Sequence, residues 1–149
     1  MDQIIRKLAS PFLIWLASSI AFAAAQDIEW RHYEADAYGS KYSAASQIHA
    51  GNVNDLEIVW TWTSPDKKLA EDVKVRPGLL KVTPLMVGGV LYLSTSLNQV
   101  VAVDAGTGKT RWLHDPKAYR KGRPANSGWQ HRGVAYWESD DAKDRRILM

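Results

Sequence analysis

From residue 57 onward the chain alternates short runs of β-branched and aromatic residues with short polar breaks. Runs of this kind are typical of β-strands, and the breaks at Gly88-Gly89, Leu97-Asn98 and Ala105–Lys109 are short enough to be turns. The pattern therefore predicts a chain built mainly from β-strands. The predicted strands are Glu57–Trp62, Val82–Val87, Val90–Thr95, Gln99–Asp104, Thr110–His114, Gly133–Trp137 and Arg146–Met149.

Four of the predicted strands lie between Val82 and His114 and are joined by tight turns, which predicts an antiparallel meander. Its length of about 33 residues matches one blade of a β-propeller, whose four-stranded sheets repeat every ~40 to 50 residues. The strand pattern resumes at Gly133, after a basic loop at Lys117–Asn126, as a second blade would. One blade cannot bury both faces of its sheet. We therefore expect an all-β fragment of a propeller: the first blade and the start of the second.

The segment before these strands, residues 26–56, is polar and aromatic without a clean period. Gly39–Ser43 is predicted to be a loop, and a short helical turn is predicted at Asn52–Leu56. The first 25 residues differ again. Arg6 and Lys7 precede an apolar stretch that ends in three alanines, which is the pattern of a secretory signal peptide. We expect cleavage after Ala25 and a periplasmic mature chain over residues 26–149, with retention as a membrane anchor as the alternative.

The amino-acid composition argues against several classes of function. The 19 basic and 16 acidic residues are scattered along the chain, so binding to nucleic acid is not expected. Cysteine is absent, which excludes disulfides, thiolate metal sites and cysteine nucleophiles. Tryptophan is abundant, with seven residues against two phenylalanines, and its regular use indicates a packing motif.

One segment is specific enough to suggest a family. Ala102–Trp112 fits the pattern Ala-x-Asp-x-x-x-Gly-x-x-x-Trp, in which Asp104 accepts hydrogen bonds from turn amides and Gly108 gives the backbone freedom. The segment resembles the tryptophan-docking motif of the eight-bladed PQQ-dependent (quinoprotein) dehydrogenases. The flanks resemble the same family in the expected order, closest to the glucose and alcohol dehydrogenase branch. They include Trp30–Tyr33, Gly39–Ser43, Asn52–Leu56, Val59–Trp62, Thr83–Val87, Leu91–Thr95 and Arg132–Trp137.

The resemblance implies a function that this chain would share with later blades. Members bind PQQ in the central channel beside a calcium ion, oxidise a sugar or an alcohol, and pass electrons to a quinone or a cytochrome. The calcium ligands and the catalytic base come from later blades, so none is assigned here, and residues 26–149 alone are expected to be inactive. Association with the membrane stays open.

Three residues are candidates for contact with PQQ. Arg132 matches the family arginine that reaches the carboxylates of the cofactor, a role that suits a guanidinium group, and a solvated loop arginine is its alternative role. Lys81 lies where methanol-type members have a glutamate on the cofactor and sugar-type members often have a neutral amide. A lysine at this position is a candidate to meet a PQQ carboxylate, and a surface lysine at the start of a strand is its alternative role. His131, next to Arg132, is a candidate for the same channel, with a structural role as its alternative.

Two further comparisons bear on substrate and class. Alcohol-oxidising members often carry adjacent cysteines just before the Arg-Gly pair, whereas residues 125–130 here contain none, which favours the sugar-type branch. Methanol-like and polyol substrates remain open. The alternative to an enzyme is a non-catalytic propeller scaffold of an envelope assembly factor. Arg132 favours the enzyme, because a scaffold needs no arginine in the channel.

Overall fold

The computed structural model describes residues 28–124, 129 and 132–149, so the proposed signal peptide (residues 1–25) and His131 lie outside the described residues. Within the described part, no helix is long and apolar enough to cross a bilayer. The strands form two separate antiparallel sheets, one of four strands and one of two. They are β1 (Leu85–Val87), β2 (Val90–Ser94), β3 (Val100–Asp104), β4 (Thr110–His114), β5 (Ala135–Glu138) and β6 (Arg145–Leu148).

The predicted meander is confirmed as a sheet in the order β1-β2-β3-β4. Val87 pairs with Val90 across the Gly88-Gly89 turn, and Tyr92 pairs with Ala102 on the next strand. The first strand begins at Leu85 rather than at Val82. Pro84 has no amide hydrogen to donate, and the Thr83 amide donates instead to a carbonyl far along the chain.

Apolar residues cover both faces of this sheet, because successive side chains point to opposite faces and β2 and β3 are apolar over most of their length. Leu93, Val101 and Val103 are buried on one face, where Trp62 packs against them. Leu85 and Val100 are buried on the other face, where residues of the second sheet and Trp30 cover them. The second sheet, the β5–β6 hairpin, is therefore in packing contact with the first.

The prediction of a strand at Glu57–Trp62 is wrong, because none of the described strands pairs with this segment. Ile58 and Val59 are 88% and 85% exposed, as expected for a segment without a sheet neighbour. Two tryptophan side chains attach this segment to the turn between β3 and β4 and to β4 itself. The indole N–H groups of Trp60 and Trp62 donate to the Ala105 carbonyl (3.1 Å) and to Thr110 Oγ1 (3.0 Å).

Three short helical elements lie among the described residues. The turn predicted at Asn52–Leu56 is present as a short 3-10 helix at Val53–Asp55. A helix that the sequence pattern did not predict, α1 (Asp66–Val73), follows the tryptophan segment. Its apolar residues pack against a cluster formed by Leu97, Tyr119 and Trp129. A second 3-10 helix, Ala118–Lys121, lies within the predicted basic loop.

The turn between β3 and β4 is built around Asp104, as the motif predicts. Its Oδ1 accepts hydrogen bonds from the Thr107 amide and hydroxyl (both 2.9 Å), and its Oδ2 accepts one from Arg111 Nη2 (2.6 Å). The Arg111 guanidinium, followed by the Thr107 hydroxyl, lowers the pKa of Asp104 from 3.8 to about 2. The carboxylate therefore holds the turn in its charged form.

This pKa shift predicts an acid-dependent loss of stability. Since the folded-state pKa lies below the unfolded one, the contribution of Asp104 is complete above the unfolded pKa and is lost as the pH falls from about 4 to about 2. Asp104→Asn should lower the melting temperature at pH 6, and the difference from wild type should shrink towards pH 2. Melting curves between pH 2 and pH 6 measure this. Asp55→Asn is the control, because Asp55 is an exposed carboxylate that makes none of the ion pairs found among the described residues. A difference that stays constant with pH would contradict the assignment.

Candidate cofactor-binding site

Arg132 lies at the start of the second sheet, where its backbone meets the first. The Thr83 amide donates a hydrogen bond to the Arg132 carbonyl (3.2 Å). Gly133 follows at φ +145°, and a Cβ there would lie 3.2 Å from the Thr83 carbonyl oxygen, so a side chain would require the two segments to shift by a few tenths of an ångström. Val134 is then buried against Leu85 and Val100. The backbone around Arg132 is thus fixed against the segment that enters β1.

Lys81 lies two residues before Thr83, in that same entering segment. Both Lys81 and Arg132 are exposed. Neither takes part in any of the seven ion pairs found among the described residues. The structure therefore brings together the backbone segments that carry two of the three predicted cofactor residues.

The chemistry of this donor set suits a ligand with several carboxylates. A guanidinium group presents a planar fork of donors to a carboxylate, and an ammonium group acts as a compact point charge. PQQ is a tricarboxylate, so Arg132 and Lys81 fit its polar edge in charge and in hydrogen-bonding type. In the described part of the chain, no three His, Cys, Asp or Glu residues come together as a metal site would require.

A second ionic group, which the sequence pattern did not reveal, lies at the other end of the hairpin. Arg31, from the segment before the first sheet, hydrogen-bonds to Glu29 and reaches Glu138 on β5 (Nη1 to Oε1, 3.5 Å). Its guanidinium carbon also lies 5.2 Å from the centre of the Tyr136 ring. The sequence pattern predicted a strand at Gly133–Trp137 but gave no indication of an ionic group at its end. The partner more than 100 residues away had no local signal.

Comparison with known proteins identifies the family. Residues 30–149 match the family described as "PQQ: Glucose/ethanol/alcohol dehydrogenase, beta-propeller domain". The chain belongs to this family, and its mostly antiparallel strands agree with the predicted all-β class.

Individual relatives agree with this membership. The chain is 35% identical over 124 residues to the quinoprotein glucose dehydrogenase of Escherichia coli K12, covering 80% of this chain and 14% of that protein. It is 34% identical over 122 residues to the cytochrome c-linked 1-butanol dehydrogenase of Thauera butanivorans, covering 81% of this chain and 16% of that protein. The crystal structure of quinohemoprotein alcohol dehydrogenase from Comamonas testosteroni superposes with a TM-score of 0.58 at 31% identity, covering 76% of this chain and 16% of that chain. The chain thus spans about one seventh of the length of these relatives.

Proposed function

We propose that the protein containing this chain is a PQQ-dependent dehydrogenase that oxidises the CH–OH groups of sugars or alcohols and passes electrons to a quinone or a cytochrome. One observation carries the proposal: Arg132 and Lys81 are exposed, lie outside the ion pairs of the described residues, and sit on backbone segments joined by the Thr83–Arg132 hydrogen bond. A scaffold has no use for such a pair. The family's own members include both glucose and alcohol dehydrogenases.

The residues of this chain would bind and orient the cofactor. Arg132 would hold one carboxylate through its guanidinium fork, and Lys81 would add a second positive charge on the adjoining segment. His131 remains a candidate for the same channel. PQQ, when bound beside calcium, supplies the two-electron acceptor for the substrate CH–OH group. The calcium ligands and the base are expected outside this chain.

The wider architecture follows from the same proposal. We place this chain as the first blade and the start of the second in an eight-bladed propeller exported to the periplasm. The contact of Trp60 with the Asp104–Gly108 turn supports tryptophan docking, since its ring lies against Gly108 and its indole N–H bonds to Ala105. Trp112, 42% exposed on the edge strand β4, would dock in the same manner on the next blade.

Reconstitution tests the function. The whole protein that contains this segment, prepared without cofactor, is loaded with PQQ and calcium and assayed with glucose, 1-butanol and a dye acceptor. We expect dye reduction that depends on both PQQ and substrate, with glucose the better substrate if the sugar-type branch is correct. A protein that binds PQQ without reducing dye with any sugar or alcohol would contradict the enzyme. A folded protein that binds no PQQ would favour the scaffold.

A further inference from the structure

We propose that Arg31 is a positioning residue for Arg132: it fastens the β5–β6 hairpin to the first sheet and so fixes the place from which Arg132 meets a carboxylate ligand. The link between this fastening and PQQ rests on the proposed function. The fastening itself rests on contacts within the described chain.

The need for a fastening follows from the hairpin's topology. β5 and β6 form a sheet of only two strands, and neither pairs with a strand of the first sheet. A two-stranded hairpin alone is marginally stable in water. At the beginning of β5 it is attached by the Thr83–Arg132 hydrogen bond and the burial of Val134. Tyr136 and Ile147 of the hairpin also pack against the buried cluster that includes Val134. None of these contacts involves Glu138, the last residue of β5, so any attachment there must come from other residues.

Arg31 makes that second attachment. Its Nη1 lies 3.5 Å from Glu138 Oε1, and its guanidinium carbon lies 5.2 Å from the centre of the Tyr136 ring. Tyr136 and Glu138 point to the same side of β5, two residues apart, so one guanidinium contacts both. The Tyr136 hydroxyl donates to Glu138 as well, which keeps the carboxylate and the ring together as one target.

The other side of Arg31 is held by the first sheet. Its Nε donates to Glu29, whose Oε1 accepts a hydrogen bond from the Gly88 amide (2.8 Å) in the β1–β2 turn. Trp30 exchanges backbone hydrogen bonds with Met86 on β1 (2.8 and 3.0 Å). Arg31 therefore bridges two bodies: a segment bonded to β1 and the far end of β5. With both ends of β5 attached, the hairpin cannot pivot about Arg132.

A matched control is available on the same hairpin. Arg146 also lies over an aromatic ring, with its guanidinium carbon 5.4 Å from the centre of Trp137, and it also pairs with a carboxylate, that of Asp144. Both of its partners belong to the hairpin, so Arg146 has the same chemistry as Arg31 without the bridge. Removing each arginine separates the effect of the bridge from the loss of a cation beside an aromatic ring.

The experiment compares Arg31→Met with Arg146→Met in the whole protein. Hydrogen exchange of the Thr83 amide, which reports the Thr83–Arg132 bond, is measured without cofactor, and the Kd for PQQ is measured by titration calorimetry. We expect Arg31→Met to speed this exchange by at least about threefold and to weaken PQQ binding by about 3–10-fold, whereas Arg146→Met changes neither. Arg31→Lys, which keeps the charge, should restore part of the loss.

Glu138→Gln, compared with Arg145→Met, provides a second test if Arg31→Met fails to fold. Both variants remove the Arg145–Glu138 ion pair within the hairpin, but only Glu138→Gln also breaks the bridge to Arg31. Equal exchange rates in Arg31→Met, Arg146→Met and wild type would overturn the fastening. Faster exchange with unchanged PQQ affinity would overturn the positioning role. If the protein binds no PQQ, the proposed function fails, while the exchange measurement still decides whether Arg31 fastens the hairpin.

Discussion

Gly108→Ala is expected to destabilise the protein by about 2–4 kcal/mol, a large effect for the addition of one methyl group. Gly108 has φ +69°, a conformation that costs alanine about 1 kcal/mol or more. A Cβ at this position would also lie 2.6 Å from two carbons of the Trp60 ring. The ring would have to move, which would weaken its hydrogen bond to the Ala105 carbonyl.

Gly106→Ala is the matched control, in the same turn. A Cβ at Gly106 would meet only Asp104 Oδ1, at an ordinary 3.5 Å, and its φ is not positive. Its melting temperature should stay close to that of wild type, while that of Gly108→Ala falls by several degrees. Combining Gly108→Ala with Trp60→Leu should cost less than the two single changes added together, since the small side chain relieves the clash. Additive effects would mean that the two residues do not touch.

The turn shows what the sequence could predict. Asp104, Gly108 and Trp112 have fixed spacing, so the motif alone predicted an aspartate that accepts turn amides, a glycine that frees the backbone and a tryptophan on the next strand. It could not predict which ring lies on Gly108. That ring belongs to Trp60, which lies 45 residues before the Ala105 carbonyl that it hydrogen-bonds, in a segment whose β-branched residues resembled a strand.

The helix α1 was missed for a different reason. Its apolar residues are only Leu69, Ala70 and Val73, and the other residues of the helix are charged. This is too few apolar positions to show a helical period in the sequence. What fixes the helix is the cluster of Leu97, Tyr119 and Trp129, which comes from three other parts of the chain. Tertiary packing, rather than helix propensity, determines so short an element.

The candidate site was also predictable only in part from the sequence. The sequence identified Arg132 and Lys81 only through resemblance, and neither spacing nor periodicity relates two residues so far apart in the chain. The Thr83–Arg132 hydrogen bond supplies that relation, since it joins the two segments. The Arg31 bridge was not predictable, because a salt bridge between residues 107 positions apart leaves no local pattern.

Arg132→Gln is expected to raise the Kd for PQQ by about 10–100-fold, because hydrogen bonds to charged groups are typically worth about 1.5–3 kcal/mol. Glutamine keeps one amide donor but loses the charge and the planar fork. Since the side chain of Arg132 is exposed and makes none of the ion pairs among the described residues, its removal should leave the melting temperature of the cofactor-free protein unchanged. The substitution should therefore weaken PQQ binding without changing the thermal stability of the protein. Titration calorimetry measures the first and thermal unfolding the second.

Arg123→Gln is the control for this last experiment, because Arg123 is also exposed and outside the ion pairs of the described residues, but lies in the loop after the helix Ala118–Lys121. If general attraction between a basic surface and a tricarboxylate explained binding, both variants would weaken it alike, and added salt would abolish the difference. If Arg132 holds a carboxylate directly, only its own replacement has a large effect, and Arg132→Lys restores the charge without the fork and recovers part of the affinity. Equal Kd values for Arg132→Gln and wild type would remove Arg132 from the cofactor site.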